Sequence, residues 1–121
     1  MKPLLATELK KFLQRFDSFR GGEIRSIDVI TPTTIRMTLV GQDSARYFDW
    51  ISVELEFSSV SDARIIESSK LNLIDMSNGA SIINDDNLFA FGIDECYNIS
   101  SARNSTCFIV CSNIKFKEGA F

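Results

Sequence analysis

Between Trp50 and Phe57 the chain alternates strictly, with Ile51, Val53, Leu55 and Phe57 on one parity and Ser52, Glu54 and Glu56 on the other. Successive side chains of a strand point to opposite faces, so this run is a β-strand with one face in the core and one in water. A strand of that kind must sit in a sheet whose apolar face is covered by something else. This requirement constrains the fold more than any other stretch of the sequence.

Neighbouring segments supply the sheet and its cover. Ile27 and Val29 in the run Glu23–Ile30, and Ile35, Met37 and Leu39 after it, keep the same period on either side of Thr31-Pro32-Thr33, which predicts a hairpin. Ahead of them Leu5, Leu9, Phe12, Leu13, Phe16 and Phe19 recur at spacings of three and four. That is an amphipathic helix over about residues 3–19, started near Pro3 and stopped by Gly21-Gly22. Its apolar stripe, Leu5 to Phe16, is expected to face the sheet together with Val53, Leu55 and Phe57.

Further along, short strands are predicted at Ala63–Ile66, at Leu71–Met76 leading into an Asn78-Gly79 hairpin turn, and at Ala80–Ile83. Asp85-Asp86-Asn87 reads as a polar turn before Leu88–Ile93, which is apolar on nearly every position and so suits a central strand. The polar segments Gly41–Asp49 and Asp94–Ser105 each leave room for a helical turn. Cys107–Cys111 and Ile114–Lys117 complete six to nine strands. The expected fold class is α+β: an N-terminal helix packed on a mainly antiparallel sheet, within one domain spanning residues 1–121 and β-rich over about 23–117.

Composition narrows the chemistry. The 121 residues contain no histidine, which removes the usual general base, the usual partner of a nucleophile and the commonest metal ligand. Three cysteines cannot all pair within the chain. Cys107 and Cys111, four apart on a strand, would stand about 13 Å from each other. Free thiols, a reducing compartment and hence a cytoplasmic location are expected, with no zinc, since the paired spacing of a zinc site is missing. The start of the chain, charged again at Glu8, lacks the apolar stretch of a signal peptide, and no run approaches a membrane helix. A net charge of −3 with scattered Lys and Arg disfavours nucleic acid and favours a basic protein partner. The glycines form no phosphate loop, because no helix N-terminus follows Gly21-Gly22.

The segments Tyr47-Phe48-Asp49-Trp50-Ile51-Ser52-Val53-Glu54-Leu55-Glu56-Phe57, Ser61-Asp62-Ala63-Arg64 and Leu73-Ile74-Asp75-Met76, with the chain's size, acidity and β-rich layout, resemble small bacterial immunity proteins of polymorphic-toxin and contact-dependent growth inhibition systems. The resemblance covers about half the chain. It implies a cytoplasmic, non-catalytic protein without cofactor that binds a cognate toxin domain and blocks it. On that reading the outward Glu54 and Glu56 and the turn residues Asp85 and Asp86 are the expected partner-binding residues, opposing a basic cleft. Two alternatives stand beside it. One is a structural or adaptor subunit of a bacterial or phage assembly, which would expose apolar residues on sheet or helix. The other is a carboxylate enzyme or small-ligand binder, which would need Asp or Glu side chains converging in a pocket.

Overall fold

The computed structural model describes residues 1–121. Nine strands form two antiparallel sheets: β1 (Lys2–Pro3), β2 (Glu23–Thr31), β3 (Thr34–Asp43), β4 (Asp49–Ser58) and β9 (Asn113–Gly119) in one, and β5 (Asp62–Arg64), β6 (Ala80–Asp85), β7 (Leu88–Ile93) and β8 (Phe108–Cys111) in the other. Their orders are β1-β9-β4-β3-β2 and β5-β8-β7-β6. Two short helices, α1 (Leu9–Arg15) and α2 (Ile99–Arg103), and four 310 turns fill the connections. The fold is α+β and mainly sheet, as the alternation requires.

The sheets face each other across the core. Met37, Leu39, Val53, Leu55 and Phe57 point inward from the five-stranded sheet, and Ile82, Phe91, Ile109 and Cys111 from the other, with Cys107 buried just ahead of β8. Phe57 and Phe91 meet edge to face across the gap, ring centres 5.7 Å apart. The two layers are also joined covalently. β4 bends at Ser59, whose φ is +53°, and runs on into β5, while β8 runs on through Ser112 into β9. The pair β4–β9 therefore continues as the pair β5–β8. Ser112 donates its N–H to the Ser58 carbonyl at the corner (3.3 Å), the bend by which strands pass between packed sheets. The second sheet buries part of its outer face too, where Ala90, Phe108 and Val110 pack beneath Ala102 of α2. That double burial explains the nearly unbroken apolar run of β7.

The N-terminal helix is shorter than its spacing predicts. Lys2 and Pro3 pair with β9, Ala6–Glu8 is a 310 turn, and the right-handed helix ends at Arg15. Asp17, Ser18 and Phe19 follow with φ of +50° to +60°. Left-handed backbone costs roughly 1–2 kcal/mol per residue. Here it turns the chain back so that Phe19 stacks on Phe16 (5.1 Å, 11° between planes) within the core. The Phe19 ring lies directly on Gly41, where an added Cβ would stand 2.8 Å from it. Leu9, Phe12 and Phe16 are buried as expected and Leu13 half so, but Leu5 is exposed because it precedes the helix, and Leu4 is buried in its place.

Two other expectations fail in the middle of the chain. Leu71–Met76 is not a strand: Ser68–Leu73 forms a 310 turn, with Leu71 and Met76 inserted into the core beside β2. Asn78-Gly79 consequently joins no hairpin. Gly79, at φ +70°, lies where a Cβ would be 2.2 Å from the Ser18 carbonyl oxygen, so it is needed for close approach of two connections. The short strand expected at Ala63–Ile66 lies at Asp62–Arg64.

Candidate functional site

Glu54 and Glu56 project from the outer face of the five-stranded sheet, as alternation dictates, but they are half-buried rather than free in water. Arg36 on β3 stands opposite Glu56 and reaches both acids, at 3.1 Å from Glu56 and 3.6 Å from Glu54. The pairing continues across four strands as Asp28, Arg36, Glu56 and Lys115, with alternating sign, and Lys117 stands opposite Glu54. Cross-strand pairs of this kind stabilise the sheet by a few tenths of a kcal/mol each, and they leave this face nearly neutral. Asp85 and Asp86 belong to the other sheet, at the β6–β7 hairpin. Asp85 closes the ladder opposite Leu88, and Asp86, at φ +55°, makes the turn. Both are exposed, and neither is ion-paired. The four expected residues thus lie on two different sheets, and two of them are already engaged.

The three cysteines are unpaired. Burial pushes the Cys107 thiol up to about 11 and the Cys111 thiol up to about 12, and Cys96, half-buried against Ser81, is raised as well. Thiols held protonated are poor nucleophiles.

Carboxylates do converge elsewhere. The inward parity of β3 brings Asp43 to the end of the core, and that of β9 brings Glu118 beside it, while Arg15 comes down from α1. Arg15 binds Asp43 through two parallel bonds, Nε to Oδ1 at 2.8 Å and Nη2 to Oδ2 at 2.7 Å, and reaches Glu118 through Nη1. Arg46 lies 3.4 Å from Asp43 and 3.0 Å from Glu118. Asp43 is inaccessible to solvent. Hydrogen bonds from the Arg15 guanidinium hold both carboxyls below their ordinary range and raise the arginine. Two cations against two anions, all hydrogen-bonded, make a clamp between elements far apart in sequence, not an acid/base pair poised for proton transfer.

The clamp holds the β3–β4 connection. Asp43 Oδ1 also accepts the Ala45 N–H (2.9 Å), capping the Ser44–Arg46 turn, and the Asp43 carbonyl accepts the Phe48 N–H (2.9 Å). Between these anchors Tyr47 and Phe48 adopt φ of +56° and +65°, a backbone that bulky L residues rarely take, and both are exposed, at 96% and 63%. Trp50, 41% exposed, follows at the start of β4. Its ring centre is 6.4 Å from that of Phe121, over which Arg25 lies at 4.6 Å. Gly21, Gly22 and Val40 line a hollow beside Trp50 and Phe121. Three exposed aromatics within four residues, on a loop and the strand start after it tied down by ion pairs to the buried Asp43, form the feature that best qualifies as a site.

The chain matches no protein-family model, no curated protein and no solved structure. The site therefore rests on its own geometry. Tyr47, Phe48 and Trp50 lie in the segment that resembles immunity proteins but carry no role in the sequence reading, and neither does Arg15. The available signal was the aromatic density of Tyr47-Phe48-Asp49-Trp50 inside an otherwise polar connection.

Proposed function

We propose that the chain is a non-catalytic protein-binding inhibitor, an immunity protein that neutralises a cognate bacterial toxin domain by binding it. The observation that carries the reading is the anchored β3–β4 loop, which presents Tyr47 and Phe48 to solvent just ahead of the part-exposed Trp50. Tyr, Trp and Arg dominate the energetics of protein interfaces, because a rigid ring buries a large area at little entropic cost. Backbone strain clusters at functional sites, where it persists because the surroundings over-determine it, and here ion pairs anchored on the buried Asp43 hold it. Negative charge at Asp85 and Asp86 and in the chain as a whole suits a partner with a basic cleft and speeds encounter with it.

The test is co-expression with the product of the neighbouring reading frame, followed by purification and growth rescue. A stoichiometric complex is expected, weakened at least about tenfold by Tyr47→Asn with Phe48→Asn, as loss of one hot-spot cluster implies. Asn accepts left-handed backbone, so these variants separate binding from folding. Absence of a complex, with no rescue of growth, removes the immunity reading.

One observation favours the second reading, an assembly subunit. β2 is a nine-residue edge strand with Val29 and Ile30 exposed, and an open edge can pair with another chain. Self-association in sedimentation runs, abolished by Val29→Lys, would favour that reading.

A further inference from the structure

The 310 turn at Ser68–Leu73 and the end of β7 enclose a groove of about 500 Å³. Its walls are apolar, formed by Ile66, Leu73, Ile74 and Ile93, and Leu73 is left 75% exposed over it. Its rim is acidic. Asp75 and Asp94 line it and have no cation within 4 Å, against one cation, Lys70, which is itself unpaired. The Asp75 carboxylate and the Asp94 main chain are each held by hydrogen bonds. Asp75 Oδ1 accepts the Ser77 N–H (2.9 Å), while the Asp94 N–H donates to the Gly79 carbonyl (2.9 Å) and its own carbonyl accepts the Ser81 hydroxyl (2.8 Å). The segment carrying Asp75 is tied to the start of β2. Gly21, which lines the hollow beside Trp50 and Phe121, donates its N–H to the carbonyl of Met76, next to Asp75.

We propose that this groove seats a Lys or Arg side chain projecting from an apolar stretch of the protein partner, its methylene stem against Leu73, Ile74 and Ile93 and its cation between Asp75 and Asp94. Lysine and arginine bury their stems along apolar surface while keeping the charged head at its edge, which is the layout of walls and rim here. An anionic amphiphile would meet two carboxylates. A neutral one would leave both unpaired. The inference rests on the protein-binding reading above and adds a second contact to it, for which a basic partner supplies the cation.

The groove is tested on the protein alone, with n-hexylammonium, hexanol and hexanoate titrated against backbone amide shifts at residues 66–75, 93 and 94. Hexylammonium is expected to bind up to about fivefold tighter than hexanol, the scale of exposed ion pairs, with hexanoate weakest. Asp75→Asn with Asp94→Asn should bring hexylammonium to the hexanol level, and Asn at 75 keeps the acceptor for Ser77. Equal binding of all three probes, or shifts that avoid the groove, overturns the proposal. If a complex forms with the neighbouring gene product but survives the double Asn substitution at full affinity, the groove proposal falls while the protein-binding reading stands. If no complex forms but the probe order holds, that reading falls while the groove's preference for cations stands.

Discussion

Asp43 is the residue on which the most depends. Removing Asp43 takes from the largely enclosed Arg15 its two-bond partner and leaves Glu118 alone to compensate it, and strips Arg46 of one of its two acids. Asp43→Ala is expected to cost about 3 kcal/mol in urea melts, the lower end of the range for buried pairs because Arg46 and the outer edge of Arg15 still reach water. The same cluster sets the response to acid. The Asp43 and Glu118 carboxyls lie lower in the folded protein than in the unfolded chain, so the unfolded state takes up their protons first. Their contribution to stability is complete above the ordinary carboxylate range, about pH 4, and is lost as pH falls below it. Urea midpoints recorded between pH 7 and 3 should decline below about pH 4, and Asp43→Asn should flatten that decline. The thiols give a separate check. Cys107 and Cys111 are buried and protonated, so a thiol reagent at pH 8 should modify them in the native protein only as fast as the structure opens, and all three cysteines promptly in urea.

Among the elements, α1 contributes one ring, Phe12, with Phe16 just beyond its end. Phe12 touches Phe16 and Phe116 edge to face, at 5.2 Å each. Phe12→Ala should cost about 3–5 kcal/mol in denaturant melts, whereas Leu5→Ala should stay within about 0.5, because Leu5 is outside the core. That contrast shows what the sequence could and could not convey. Period two in β3 and β4 was legible because one face of each strand is in the core and the other in water, and period and burial then agree. The helix ran too long because Phe19 keeps a helical spacing from Phe16 while reaching the core through a left-handed turn, and spacing carries no record of backbone handedness. Leu71–Met76 misled for a related reason. Its apolar residues anchor a 310 turn in the core beside β2, and a run that short fits strand or turn equally well. Of the candidate site, the outward direction of Glu54 and Glu56 was legible. Their neutralisation by Arg36 was not, since it depends on which strand lies alongside.

For the molecule as a whole, the central strand β4 is paired on one side by β3, its neighbour in sequence, and on the other by β9, some 60 residues further on. This arrangement has a kinetic consequence. β2, β3 and β4 can zip together through short connections, but the resulting meander keeps an open edge on β4 until the last strand arrives, and the corner at Ser58 and Ser112 cannot close before then. The rate-limiting step should accordingly be the docking of β8–β9, with the entropy of a long loop opposing it, and folding should take milliseconds to seconds rather than microseconds. Ile114→Ala on β9 should slow refolding in stopped-flow chevrons, while Ile82→Ala, on the far edge strand β6, should mainly speed unfolding. During synthesis the unpaired edge of β4 waits for β9 to emerge from the ribosome, which makes this interval the one in which chaperones matter most.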